Sequence, residues 1–243
     1  MPTDNEQLLD FANHFLGYGS LNSALWLIGP ESGGGQTMND VRQRALVWSK
    51  RGRKEIEDLH SYHADLELPT KFDWTRNIQP TWGPLIRVIL ALDGKKADRE
   101  DVREFQRHEL GRAEGQNSVL DLSQLSSPST SEWELHECGI SWLTTREEYE
   151  GRLLRPRCEL LRERVARYKP ILVLFYGLGH QCWWEQISAN QFAPSKLPQL
   201  SWVRGENSLF AMIPHPNVRL PGKGARNRFF ADVGAALRER LRR

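Results

Sequence analysis

The sequence lacks several features that would place it in a well-marked class of protein. Its 243 residues include only three cysteines, with no Cys-x-x-Cys pair and no spacing typical of metal ligands. An odd number of cysteines in that pattern argues against a disulfide scaffold and against a structural zinc site. No apolar run approaches membrane-spanning length, and the polar N-terminus carries no secretion signal. These absences predict a cytoplasmic protein with no membrane partner, no metal and no cofactor.

Neither sign of charge dominates the chain. It carries 33 lysines and arginines against 31 aspartates and glutamates, for a formal net charge of +2. That balance permits binding to nucleic acid but does not require it. The sequence has no internal repeat and no linker-like stretch, and 39% of its residues are hydrophobic. Length and composition therefore predict one domain over residues 1–243, which we expect to be monomeric.

Four short apolar segments are typical of buried parallel strands. They cover residues 24–28, 117–125, 171–177 and 208–213, and each is followed by a loop and then by helical sequence. This order predicts an α/β protein, a three-layer α/β/α fold around a central four-stranded parallel sheet.

The helical patterns are clear in some segments and ambiguous in others. They cover residues 3–15, 81–92, 98–110 and 146–168, and a further helix is expected to start at Asn39 or Asp40. Pro156 leaves two candidate starts for the long helix, Arg146 or Pro156 itself. Residues 56–80 are polar and predict irregular structure.

The loops after the four predicted strands carry the chemistry-bearing residues. Parallel strands place these loops on one edge of the sheet, where α/β proteins bind ligands. Glu31 is the only acid in the first loop, among glycines that let the backbone approach an anion. Gln124 and Tyr176 stand at the ends of the second and third predicted strands, and His215 follows the fourth. One acid, one amide, one imidazole and backbone donors together predict a pocket at this edge.

Two of these loops resemble motifs of the uracil-DNA glycosylase superfamily. Gly29-Pro30-Glu31-Ser32-Gly33 stands where that family has its first motif, directly after strand one. Pro214-His215-Pro216-Asn217 is similar to its His-Pro-Ser motif after strand four, with asparagine in place of serine. Segment 169–177 resembles the family's third strand, and the resemblance spans roughly residues 21–240. It implies a uracil-DNA glycosylase-like fold with a four-stranded parallel sheet.

The resemblance also implies an activity and a set of roles. The family hydrolyses the N-glycosidic bond of a base flipped out of DNA. By that resemblance His215 would hydrogen-bond the leaving base, and Glu31 would orient or deprotonate water or stabilise the oxocarbenium ion. The expected base-binding residues are Gly29, Pro30, Gln124 or Ser123, Tyr176, Asn217 and a stacking tryptophan, for which Trp48, Trp74 and Trp82 are the candidates. The expected contacts to single- or double-stranded DNA are Ser127, Arg219, Lys223, Arg226 and Arg228.

The departures from the family pattern bear on the substrate. Uracil-specific members carry Asp or Asn in the first motif and Asn as base reader, whereas the longer Glu31 and Gln124 stand here. We therefore expect a base other than uracil, such as a deaminated purine or a hypermodified cytosine of phage DNA excised as antiviral defence. The family's iron–sulfur members carry four cysteines, so no cluster is expected here.

Other functions and structural roles remain as alternatives at this point. The chain could be a catalytically inactive DNA-binding protein of the same fold, or a repair glycosylase for uracil or a deaminated base. It could also be a nucleotide or sugar-phosphate enzyme that uses the glycine loop for an anion, although no Gly-Lys-Ser/Thr follows to make a P-loop. Glu31 could be a solvated loop acid, and each tryptophan could belong to the core.

Overall fold

A single mixed sheet organises the chain. The computed structural model describes residues 4–33, 37–68, 77–125, 133, 135–136 and 139–242. Within these residues the sheet has eight strands in the order β3-β1-β4-β2-β5-β8-β7-β6. The strands are β1 (Gly17–Tyr18), β2 (Leu25–Glu31), β3 (Ile56–Glu57), β4 (Asn117–Ser123), β5 (Leu172–Tyr176), β6 (Ala193–Pro194), β7 (Ser201–Arg204) and β8 (Leu209–Ile213).

The four longest apolar segments of the sequence form neighbouring strands of this sheet. β2 pairs in parallel with β4 on one side and with β5 on the other, and β5 pairs in parallel with β8. β7 runs antiparallel to β8, and β1 runs antiparallel to β4. The sheet is therefore mixed and larger than the four-stranded parallel sheet expected from the sequence. Three of the additional strands are only two residues long, too short to give a periodic pattern.

Helices cover both faces of the sheet, as the α/β pattern predicts. They are α1 (Asp4–His14), α2 (Met38–Lys50), α3 (Leu59–Asp65), α4 (Trp82–Leu92), α5 (Arg99–His108), α6 (Arg146–Tyr168), α7 (Gln181–Ser188) and α8 (Ala225–Arg242), with short 3₁₀ turns at Ser141–Leu143 and Leu178–His180. Alternate residues of β2 enter two separate cores because side chains alternate along a strand. Leu25 and Leu27 pack with residues of α1 to α5 and α8, whereas Trp26 and Ile28 pack with residues of α6 and α7.

Close packing on the first face explains one of the helix glycines. α4 and α8 lie against each other, and Gly234 of α8 faces the backbone of α4. A Cβ at this position would overlap the carbonyl oxygen of Val88 and lie 2.7 Å from the Cβ of Ala91. Glycine at this position therefore lets α4 and α8 pack closely against each other on this face of the sheet.

Two helix predictions need correction, and the open choice of start for the long helix is resolved in favour of Arg146. α2 begins at Met38, because Thr37 caps it and forms a reciprocal capping box with Asp40. α6 runs without interruption from Arg146, with Pro156 inside it on an exposed face where water can satisfy the lost hydrogen bond. α3 lies within the segment expected to be irregular, and Asp58 caps its first turn. Its seven residues are too few to show a clear helical period.

None of the helices among the described residues combines the length and the apolar character needed to cross a bilayer.

Candidate functional site

The carboxyl ends of β2, β5 and β8 meet at one edge of the sheet. The register pairs Ile28 with Phe175 and Tyr176 with Ile213, so these three parallel strands end close to one another. Glu31 is the last residue of β2, and His215 follows β8 by two residues. The sheet therefore brings the two predicted catalytic residues to the same edge.

Glu31 is held by Arg146, a residue that the sequence analysis did not identify as part of the site. Its Oε2 accepts a hydrogen bond of 3.0 Å from Nη1 of Arg146, the first residue of α6. Both side chains are largely covered, with exposures of 21% for Glu31 and 23% for Arg146. The guanidinium also lies over the ring of Trp133, 4.9 Å from its centroid. Glu31 is thus a positioned carboxylate rather than a solvated loop acid.

His215 has a defined hydrogen-bonding state. Its Nδ1 lies 3.2 Å from the backbone N–H of Asn217, which donates to it. Nδ1 is therefore an acceptor, and in the neutral ring the proton belongs on Nε2. Burial lowers the pKa of His215, and the nearby His180 lowers that pKa further, so the neutral form is favoured. Neutral His215 consequently offers Nε2–H as a donor.

Tyr176 and Gly29 form the support beneath these groups. Tyr176 is only 3% exposed, and its ring meets the His215 ring edge-on with centroids 5.7 Å apart. A Cβ at Gly29 would lie 2.6 Å from Cε2 of Tyr176 and closer still to its Cζ and Oη. Both residues were expected to touch the base, but the structure places them as a packed pair under the site.

A buried acid that sequence reasoning missed lies next to this pair. Asp121 is opposite Gly29 in the β2–β4 register and receives a hydrogen bond of 3.4 Å from the hydroxyl of Tyr176. Burial raises the pKa of Asp121 to about 7, although Arg157 works in the opposite direction. The available signal was a single charged residue inside an otherwise uncharged strand pattern over residues 117–125.

Arg157 stabilises the same region through backbone oxygens. Only 1% exposed, it donates to the carbonyl groups of Asn13, Phe15, Asp121 and Leu122. Burial lowers its pKa to about 10. The guanidinium therefore ties the end of α1 to the end of β4 and keeps that edge of the sheet in place.

Gln124 and Ser123, at the carboxyl end of β4, were expected to read the base, but their side chains face into the protein. The amide nitrogen of Gln124 donates to the carbonyl of Leu16 at 3.0 Å, and the side chain is buried. The hydroxyl of Ser123 contacts the hydroxyl of Tyr149 and also donates to the carbonyl of Leu125. Each is committed to a partner in the protein, so the structure brings neither side chain to the surface of the site.

The candidate stacking tryptophans occupy different environments. Trp48 is fully buried among Phe11 and Phe15 and donates its Nε1–H to the carbonyl of Lys54, so it belongs to the core. Trp82 is partly buried and packs edge-on against His63. Trp74 lies outside the described residues. Of the described candidates, only Trp82 retains exposed surface.

Trp82 is also connected to the site through its neighbour in the chain. Thr81 precedes it, and the Thr81 hydroxyl accepts a hydrogen bond of 3.4 Å from the side-chain amide of Asn217. Asn217 itself is exposed. The start of α4 and the loop after β8 therefore meet beside His215.

The predicted DNA contacts follow His215 in the loop that leads to α8. Arg219, Lys223 and Arg228 are exposed, and Arg226 is half-buried. Arg228 donates to the carbonyl of Lys223 at 3.1 Å, which ties the loop to the start of the helix. Ser127, the remaining predicted contact, lies outside the described residues, as do Gly34 and Gly35 of the glycine run.

The third loop supplies a histidine that no motif had indicated. His180 ends the 3₁₀ turn after β5, and its Nδ1 lies 3.5 Å from the point where a Cβ of Gly177 would be. Cγ of Pro30 lies 3.6 Å from the same point. Burial lowers the pKa of His180, whereas the carboxylates of Glu150 and Glu31 raise it. The only sequence signal was its position three residues after Gly177.

Two further observations concern metal binding and the location of a cleft. Among the described residues, no group of three or more His, Cys, Asp or Glu side chains could bind a metal ion. A cleft of about 490 Å³ lies at the opposite edge, near the amino ends of β2 and β5, with Asn22, Arg51, Asp58 and Tyr168 in its wall. That cleft is separate from Glu31 and His215.

Comparison with known proteins gives no independent assignment. A search of protein-family models and a search of curated proteins both found no match to this chain.

Proposed function

We propose that the chain is a monofunctional DNA glycosylase, which hydrolyses the N-glycosidic bond of a flipped base and leaves an abasic site. The observation that carries the proposal is one sheet edge with two complementary groups. Glu31 is a carboxylate positioned by Arg146, and His215 is a neutral imidazole with its proton assigned to Nε2. The neighbouring parallel strands β4, β2, β5 and β8 agree with the four-stranded parallel sheet that the resemblance implies.

These two groups match the charges that develop in the reaction. Cleavage builds positive charge on the sugar and negative charge on the departing base. Nε2–H of His215 would donate to the base as it becomes negative, without having to lose a proton. The carboxylate of Glu31 would stabilise the sugar cation and orient the attacking water. Water oxygen bonds to the anomeric carbon as the electron pair of the C–N bond leaves with the base.

The loop after His215 supplies a surface for the DNA backbone. Arg219, Lys223 and Arg228 project from the part of the chain that directly follows the proposed base donor. Positive side chains here would hold the phosphates that flank the flipped nucleotide, whether the DNA is single- or double-stranded. This placement favours DNA over a free nucleotide as the partner.

The inward orientation of Gln124 bears on the choice of base. Uracil-specific relatives are expected to read the base with an asparagine at the end of the second strand, but Gln124 here is bonded to Leu16. We therefore propose a modified base as substrate, with a hypermodified cytosine of phage DNA as the first candidate. Base recognition would then depend on groups outside β4.

A panel of oligonucleotides tests the proposal directly. Each carries one deaminated, methylated or glucosylated base, and released bases are identified by mass spectrometry. Glu31→Gln and His215→Ala should each lower the rate by about 100-fold. The exposed Glu159→Gln and His108→Ala are matched controls and should behave as wild type.

The other outcomes separate the alternatives. Salt-dependent DNA binding without release of any base would identify an inactive DNA-binding protein. Thermal stabilisation by a nucleotide or a sugar phosphate, and none by DNA, would identify an enzyme that uses the glycine loop for an anion. Wild-type rates in both site variants on a substrate that the protein cleaves would overturn the site assignment.

A further inference from the structure

His180 is held firmly at the edge of the sheet between β2 and β5. Its backbone N–H donates to the carbonyl of Gly177 at 3.1 Å, which closes the 3₁₀ turn. The same carbonyl accepts Nε1–H of the fully buried Trp184, whose ring lies 6.0 Å from the imidazole. Gly177 has φ of 99°, a conformation that favours glycine, and a side chain there would meet both His180 and Pro30. The backbone of His180 is therefore fixed beside the site, and its ring lies close to Trp184 and Pro30.

One ring nitrogen of His180, Nδ1, makes no hydrogen bond to the described residues, although the atom is buried. The buried His63 is a useful comparison, because its Nδ1 pairs with the carbonyl of Leu59 at 2.8 Å. Buried polar atoms normally have partners, so an unpartnered nitrogen in a candidate site leaves a position that a bound water or ligand can fill. His63 fits a structural role and His180 does not.

The charged groups around His180 come from three elements. Glu31 ends β2, Arg146 and Glu150 belong to the first turns of α6, and His215 follows β8. The first three interact electrostatically with the imidazole of His180, and His180 in turn interacts with His215. Burial favours the neutral imidazole, which can accept a proton. The two carboxylates would stabilise the imidazolium once a proton arrives.

We propose that His180 acts with Glu31 on the attacking water and takes its proton. This assignment rests on the glycosylase function proposed above. As the water oxygen bonds to the anomeric carbon, one water proton passes to Nδ1 of His180, the nitrogen that has no partner among the described residues. The C–N electron pair leaves with the base, which gains a proton from solvent, and His180 then returns its proton to solvent.

The test compares kinetic constants over a range of pH values. His180→Gln and His180→Ala are measured on the oligonucleotide that the wild type cleaves, with His108→Gln as a matched control on the surface. We expect kcat to fall by about 100-fold, with the KM for DNA nearly unchanged. The wild-type kcat should decrease as pH falls and His180 becomes protonated. His180→Gln should lose this acid limb, whereas His215→Gln should keep it.

Each result has a defined meaning. Thermal melting shows whether the variants fold, and the glutamine variant serves if the alanine variant does not. A raised KM with unchanged kcat, or an acid limb that persists in His180→Gln, would overturn the role in water activation. A wild-type protein that releases no base from the panel would overturn the glycosylase function and this assignment together. An active wild type with an equally active His180→Gln would overturn this assignment alone.

Discussion

Replacing Gly29 with alanine tests whether the site depends on the packed pair of Gly29 and Tyr176. The added Cβ would overlap three atoms of a tyrosine ring that is only 3% exposed, including Cε2 at 2.6 Å. The ring cannot move aside freely, because Asp121 lies at its hydroxyl and His215 at its edge. Overpacking of a well-filled core costs about 1–3 kcal/mol, and overlap with a rigid ring places this case near 3 kcal/mol.

Urea unfolding followed by tryptophan fluorescence would measure the loss. A loss of about 3 kcal/mol corresponds to a decrease in Tm of roughly 6–12 °C for a protein of this size. Gly151→Ala is the control, because a Cβ at that position on α6 meets no atom within 4 Å. It should stabilise the protein by about 0.5–1 kcal/mol, since alanine is the better helix former.

A double-mutant cycle identifies the cause of the loss. In a Tyr176→Ala background the ring is absent, so Gly29→Ala should have almost no further effect on the free energy of unfolding. Equal losses in both backgrounds would show that the backbone of β2, and not the ring, requires glycine. Unchanged stability of Gly29→Ala in the wild-type background would refute the packing argument altogether.

Three further predictions concern charge. The pKa of Asp121 is raised from 3.8 to about 7 by burial, so its contribution to stability is full below pH 3.8 and decreases as pH rises towards 7. Asp121→Asn should therefore stabilise the protein more at pH 8 than at pH 4, by up to about 4 kcal/mol in urea unfolding; an equal effect at both pH values would contradict this. Arg146→Gln should lower kcat by about 100-fold through misplacement of Glu31, whereas the exposed Arg155→Gln should not. Arg219→Ala and Lys223→Ala should each reduce the slope of log affinity against log salt by about 0.9 for duplex DNA, and unchanged slopes would exclude phosphate contacts.

The sequence predicts those parts of the fold that local pattern determines. The long helix was expected over residues 146–168, and α6 has these bounds because polar and apolar residues alternate with a clear helical period. The strand segments at 171–177 and 208–213 were found because they are short apolar runs next to turn residues. The two-residue strands and α3 could not be found in the same way, since they form mainly through pairing and capping with other parts of the chain.

The side chains of the site show a different limit. Gln124 ends a predicted strand, but its direction is set by Leu16, which is 108 residues away in the sequence. Arg146 donates a hydrogen bond to Glu31, which is 115 residues away in the sequence, and no local pattern marks either partner. The edge of the sheet could therefore be predicted from strand order, whereas the contacts made at that edge depend on tertiary packing.

The ion pair of Glu31 and Arg146 is better explained by function than by stability. Its two side chains are each about one-fifth exposed, and pairs with access to water typically contribute about 0–1 kcal/mol to folding. Glu31→Gln should therefore change the free energy of unfolding by no more than about 1 kcal/mol, although the rate of base release should fall by about 100-fold. Urea unfolding and single-turnover kinetics on the same preparation measure both quantities. A Glu31→Gln variant that loses stability and activity in proportion would show that the ion pair mainly supports the fold. A catalytic role for the Glu31 carboxylate would then be unnecessary.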